Sequence, residues 1–316
     1  MHEKLINVTL ITKFLLMGFP DDQVLQRLYA AFFSLVYLVA LMGNILIITL
    51  TTIDQHLQTP MYFFLKNLSL IDICYISVTV PKSIMNSLTN SHSISFMGCA
   101  SQVFLVLVFA GTEFALLLVM SYDRYVAICC PLHYEAVMNR GSCVQMVTAS
   151  WFIGCVYGSI HVAGTFSVHF CGSNIVHQFF CDIPSLLTLA CSGEQILEYV
   201  FIIVSFCFVF VCFTFMVASY VYIVSTVLRI PSSQGRFKTF STCMPHLTVV
   251  TLFLSSVYIA YLGLNSKSPS SLNIFMSVLY SLLPPSLNPV IYSLRNRDMK
   301  YIPGVIYFLI YSCNSY

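Results

Sequence analysis

Long apolar runs, broken by few polar positions, recur seven times along the chain and set its architecture. They lie at about residues 24–50, 60–80, 99–126, 143–162, 197–228, 240–262 and 272–294. Runs of about 20 residues or more suffice, as helices, to cross a hydrocarbon core about 30 Å thick. Lipid offers no water to an unpaired backbone amide, and the runs lack the alternation of a barrel strand, so helix is the expected form. The pattern predicts an all-α membrane protein, a seven-transmembrane helix bundle. It reads as one domain over 24–294, with an N-terminal segment 1–23 and a short tail 295–316.

Composition agrees: 58% of the 316 residues are hydrophobic and 8% charged, whereas a soluble chain carries about 25% charged residues. No cleavable signal precedes the first run, so that span is expected to serve as the insertion signal. Lys and Arg placement sets the orientation. Arg124, Arg140, Arg229, Arg236, Lys238, Arg295, Arg297 and Lys300 fall on one side, and Lys66 leans the same way; Lys4, Lys13, Arg27, Lys82 and Lys267 fall on the other. The first side is expected to be cytoplasmic, with the N-terminus extracellular and the C-terminus inside. Asn7-Val8-Thr9 then lies where a glycosylation acceptor works, while Asn67-Leu68-Ser69 falls inside span two and is discounted. Cys99, Cys171, Cys181 and Cys191 gather on the outer face and suggest two disulfides in an oxidising compartment. The other nine cysteines read mostly as small buried hydrophobes. A net charge of +2 with no basic-aromatic patch gives no nucleic-acid partner.

Polar groups inside spans are costly, about 2.5–3.5 kcal/mol for a mid-span charge, so each needs a reason. Asn44, Asp72, Glu113 and Asn288 stand in spans one, two, three and seven. Facing one another they would make a polar cavity able to hold a sodium ion, water or a shared proton; a hydrogen-bonded structural cluster is the plainer alternative. Asp123-Arg124-Tyr125 ends span three, where an arginine can exchange its neighbouring carboxylate for another partner. Asn288-Pro289-Val290-Ile291-Tyr292 in span seven forms a credible hinge, because proline frees a carbonyl and bends the helix.

These residues, with Gly43 before Asn44, Cys99 and Trp151, resemble the rhodopsin-like G-protein-coupled receptors. Longer strings resemble the olfactory receptors more specifically. Pro60-Met61-Tyr62-Phe63-Phe64-Leu65 precedes Asp72, and Met120-Ser121-Tyr122-Asp123-Arg124-Tyr125-Val126-Ala127-Ile128-Cys129 runs on to Pro131-Leu132-His133-Tyr134. Ser219-Tyr220, Lys238-Thr239-Phe240-Ser241-Thr242-Cys243 with His246-Leu247, and Pro284-Pro285 with Asn288-Pro289 complete a match over about residues 7–300. The resemblance implies an odorant receptor of the plasma membrane of olfactory cilia that couples to a stimulatory olfactory-type G protein and raises cyclic AMP. It implies bonds Cys99–Cys181 and Cys171–Cys191. It implies a ligand site lined by Val103, Val106, Leu107, Ala110 and Gly111 in span three and by Phe201, Val204, Ser205 and Phe208 in span five. Val257, Tyr258 and Tyr261 of span six, with Val278 and Ser281 of span seven, complete it. As a set these residues carry no charge and predict a small neutral volatile ligand, with no buried counter-charge for an amine. Activation is expected to swing the inner end of span six outward and to move Arg124 from Asp123 toward Tyr220 and Tyr292.

The chain departs from that family in two places. Phe253-Leu254-Ser255-Ser256 replaces the usual Tyr-Gly step after the Phe, and Pro245 falls at the start of span six. Residues 301–316 are apolar and aromatic without the basic face of an interfacial helix, which raises a non-signalling or poorly expressed remnant as one alternative. An ion- or proton-coupled transporter using Asp72 and Glu113 is another; the absence of internal repeats weighs against it. No nucleophile–base pair, metal spacing or phosphate loop points to an enzyme.

Overall fold

The computed structural model describes residues 12–17, 22–89, 91–171, 173–191, 193–262 and 271–295; the side chains of Lys238 and residues 259–277, 280 and 293–295 lie outside that description. Seven long helices carry the fold: α1 Gln23–Ile53, α2 Pro60–Thr89, α3 Phe96–Cys129, α5 Arg140–Phe166, α7 Ile196–Leu228, α8 Ser233–Leu262 and α9 Ser271–Arg295. Two short helices, α4 Tyr134–Val137 and α6 Ile183–Leu187, sit in the connections after α3 and α5. Among the described residues, six of the long helices (all but α9) are long and apolar enough to cross a membrane. Their outward side chains are large and apolar, as on α7, where Ile203, Phe206, Phe210, Val211 and Phe215 are exposed. Cys155 and Cys207 share that outward exposure, which corrects their reading as buried hydrophobes.

Most helices outrun the apolar runs that predicted them. α2 continues through Pro81 to Thr89 and α8 starts at Ser233 rather than 240. The apolar run measures the hydrocarbon thickness, whereas the backbone ladder persists into polar surroundings until a cap or break ends it. Asp22 caps α1 by accepting from the amides of Val24 and Leu25, Ser95 caps α3 at Gly98, and Asn139 caps α5 at Ser142.

Small residues let α3 and α5 approach closely. A Cβ on Gly154 would collide with Thr112 Oγ1 and lie 2.5 Å from the Val108 carbonyl, and one on Gly158 would lie 3.0 Å from the Phe104 carbonyl. Gly154 and Gly158 are one turn apart, the small-residue spacing that brings membrane helices together when lipid is as apolar as their side chains.

A small sheet closes one end of the bundle. β1 Lys13–Leu16 pairs antiparallel with β2 Ser93–Ser95 and parallel with β3 Ile175–Val176, giving the order β2-β1-β3. The apolar runs predict no strand within the N-terminal segment. Its alternation of Phe14 and Leu16, both buried, against exposed Lys13 is the period of a half-buried strand, too short to stand out. Phe14 packs on Phe96 and Phe170 beneath the sheet. The structure bridges Cys99 to Cys181 and Cys171 to Cys191. Asn7, Lys267 and residues 301–316 lie outside the described residues.

Candidate functional site: a cavity and a polar switch

A cavity of about 510 Å³ lies between α3, α5, α7 and α8, below the disulfide-bridged connection. That is room for a small organic ligand. Nine of the fourteen residues expected at a ligand site line it: Val103, Val106, Leu107, Ala110, Gly111, Val204, Ser205, Phe208 and Val257. Four do not. Phe201 packs against His161 instead, and Tyr258 is 64% exposed on the outside of α8. Val278 packs with the cluster between α1, α2 and Phe179–Phe180, and Ser281 is buried and donates to the Val278 carbonyl. The Tyr261 side chain lies outside the described residues. Helical rotation explains these misses, because a shift of one residue turns a side chain by about 100°.

The structure adds walls that sequence did not supply. Phe152, Ile153, Val156, Tyr157 and Ile160 of α5 line one side, Phe114 and Phe253 the floor, and Phe180 to Pro184 the roof. Phe180 and Cys181 are buried, held by a clamp on Gln102. Its amide donates to the Val78 carbonyl at 2.9 Å, and its carbonyl accepts from the Cys181 amide at 2.9 Å. The expectation of a lining without ionisable side chains is corrected. Glu113, 4% exposed, and Asp182 both line it. Glu113 had been assigned to a separate polar cluster, but a helix as long as α3 presents the same face to both.

That cluster is real for three of its four members. Asn288 Nδ2 donates to Asp72 Oδ2 at 3.0 Å and to Glu113 Oε1 at 3.5 Å. Asn44 instead donates to the Ala40 and Pro285 carbonyls, tying α1 to the proline-broken ladder of α9. Pro285 and Pro289 cannot donate to this ladder, so carbonyls are freed for such a donor. Asp72 Oδ1 and Asn288 Oδ1 are buried without a hydrogen-bond partner.

At the opposite end Arg124 Nη2 donates to Asp123 Oδ2 at 2.9 Å, and Tyr134 donates to Asp123 Oδ1 at 2.8 Å. Burial and the neighbouring Asp123 carboxylate push the Tyr134 hydroxyl up, which keeps its proton in that bond. Tyr125 packs edge-on against Tyr222 of α7. Tyr220 is bonded to His246 Nδ1 at 2.5 Å, and His246 Nε2 lies 2.9 Å from the Leu117 carbonyl. A carbonyl only accepts, so Nε2 carries the proton and Tyr220 donates to Nδ1. Tyr134, His246 and Gln102 were not singled out as site residues; their signal was a polar residue inside or beside an apolar run. Tyr292 is buried, its hydroxyl without a partner.

The long connection between α5 and α7 carries β3 and α6 and a surface pair. Glu194 accepts from the His169 amide at 2.6 Å and meets its ring at 3.0 Å. The amide first, and then the ring, hold the Glu194 carboxyl below the usual carboxylate range. Among the described residues no group of three His, Cys, Asp or Glu is placed to hold a metal ion.

Comparison with known proteins gives one answer. The family model described as "Olfactory receptor" matches residues 33–309. Human olfactory receptor 14A16 is 54% identical over 300 residues, 95% of this chain and 97% of the relative. Human olfactory receptor 14L1 is 55% identical over 294 residues, 93% and 90% of the two chains. Mouse olfactory receptor 1E16 is 44% identical, covering 93% and 94%.

Proposed function

The chain belongs to the olfactory receptor family and is an odorant-sensing, multi-pass G-protein-coupled receptor, not an enzyme; from that premise we propose that it binds a small, neutral, largely apolar odorant in the 510 Å³ cavity. The observation that carries this reading is the wall. Apart from Ser205, Ser256, two tyrosines and the two carboxylates, the lining is apolar, and Glu113 already shares the Asn288 amide. A ligand of few heavy atoms there gains about −5 to −8 kcal/mol. An amine that activates more potently than neutral analogues of its shape would contradict the neutral assignment.

In this reading the N-terminus and the disulfide end face outward, Asn7 is glycosylated, and the receptor resides in the plasma membrane of sensory cilia. Bound ligand favours a state in which the Arg124 end of α8 swings outward, with Asn288-Pro289 as the bend in α9. Arg124 then leaves Asp123 and Tyr220 leaves His246, so that both join Tyr292 and, with Tyr125, form the contact for a stimulatory olfactory-type G protein that raises cyclic AMP. The ligand needs only to bind that state better than the resting one. Asp72 and Glu113 face a single amide donor, and two buried carboxylates so placed suit a sodium ion or a shared proton. Asp72, Glu113 and Asn288 are the residues that would hold the ion.

The test is cyclic AMP in cells supplied with the olfactory-type G protein and screened with neutral odorants. Arg124→Ala is expected to reach the surface and lose the agonist response by at least tenfold. A surface-expressed Arg124→Ala receptor that signals like the parent overturns the switch.

A further inference from the structure

Near the disulfide end, α5 and α7 bury two ionisable side chains that neither the cavity nor the switch uses. His161 is 1% exposed and Glu198 0%. His161 Nδ1 lies 2.6 Å from Glu198 Oε1, and its Nε2 lies 2.8 Å from Ser205 Oγ. Of the three, only Ser205 lines the cavity. The arrangement is built for the pair. Tyr157 packs its ring on the imidazole with centroids 4.6 Å apart, and a Cβ on Gly164 would collide with Glu198 Oε2.

Charge decides the protons. A neutral imidazole against an ionised carboxylate would leave one negative charge buried in the bundle, with Glu198 Oε2 lacking a partner. A second proton removes that charge. One proton then lies between Nδ1 and Oε1, and Nε2 carries the other and donates to Ser205 Oγ. Thr214 and Ser219, on the same helix, give their hydroxyl protons to the carbonyl four residues back. Ser205 has no such bond and no hydrogen-bond partner other than His161 among the described residues. Its own O–H is left for the cavity.

We infer that His161 and Glu198 are positioning residues that fix Ser205 as a hydrogen-bond donor to the ligand, so that the receptor selects odorants bearing a carbonyl or ester oxygen over oxygen-free molecules of the same shape. This rests on the cavity being the ligand site. It extends that reading by naming the chemistry the ligand presents and the residues that impose it.

The experiment uses the full-length receptor with surface level measured in parallel. Cyclic AMP is read for a series of methyl ketones, each paired with the alkene that replaces its carbonyl by a methylidene group, such as 2-octanone and 2-methyl-1-octene. The parent is expected to prefer the ketones by roughly 3- to 10-fold. Ser205→Ala abolishes the preference by lowering ketone potency alone. His161→Asn also abolishes it, because the short amide still serves Glu198 but stops short of Ser205. His161→Gln, whose amide reaches the Nε2 position, retains it. A parent that responds to both members of each pair equally overturns this inference and leaves the cavity assignment standing. Equal losses for ketone and alkene in Ser205→Ala and His161→Asn, at normal surface level, also overturn it, since they mark a purely structural role. A surface-expressed parent that answers no pair overturns the ligand reading beneath it.

Discussion

The two ends of the bundle are held by different kinds of bond. At the disulfide end, Cys99–Cys181 and Cys171–Cys191 are covalent, a three-stranded sheet gathers three distant segments, and Gln102 ties α2 and α3 to the roof of the cavity. At the Arg124 end, the described contacts among switch residues are single hydrogen bonds: Arg124–Asp123, Tyr134–Asp123, Tyr220–His246 and His246–Leu117. Each such bond is worth about 1 kcal/mol net, somewhat more where a charge takes part. A rigid end suits reading a ligand's shape. An end held by exchangeable bonds suits changing partner.

Three substitutions separate these roles. The largest effect is expected from Cys99→Ala, which opens a bond spanning 82 residues and costs about 4 kcal/mol. Surface level by flow cytometry should fall by more than half, with whatever reaches the surface showing weakened ligand response. Near-normal surface level and potency would mean the sheet and Gln102 alone hold the roof. An intermediate effect is expected at the other end. Tyr134→Phe removes one hydrogen bond to Asp123, about 1–2 kcal/mol to a charged group, and should raise basal cyclic AMP severalfold at unchanged surface level. Unchanged basal signalling would remove Tyr134 from the switch.

The smallest effect concerns Glu194 and pH. Its carboxyl is held low in the folded chain, so its contribution is present above the ordinary glutamate range and is lost as pH falls through the lowered value. Glu194 is exposed, and the change should be slight. Hydrogen exchange at the His169 amide should quicken relative to neighbouring loop amides on acidification, and Glu194→Gln should abolish that difference.

How much of this was legible before the structure differs between the ends in the same way. The helices and the Arg124 end were readable, because apolar length and a charged pair at a span's end are local signals. Asp72, Glu113 and Asn288 stood out for the same reason, as polar groups in lipid-length runs. At the rigid end the resemblance implied the two disulfides, but the sheet and the Gln102 clamp were not legible, since they join segments far apart: β1 to β3 spans from Leu16 to Val176, and Gln102 to Cys181 spans 79 residues. His161 and Glu198 lay near the ends of their spans, where a polar residue looks like interface. Only the packing of α5 on α7 shows that both are buried. The acceptor of Asn44, the Pro285 carbonyl, is a backbone atom that side-chain pattern cannot show.

The central claim is that a ligand at the rigid end moves the exchangeable end. The direct measurement is an electron–electron distance between spin labels at Leu132→Cys and Gln234→Cys, both exposed at the Arg124 end. Cys155 and Cys207, exposed on the bundle's outer wall, are replaced by alanine. An activating odorant is predicted to lengthen that distance, and Ala110→Trp, which fills the cavity, is predicted to abolish the lengthening. An odorant that raises cyclic AMP while the distance stays fixed would contradict the account.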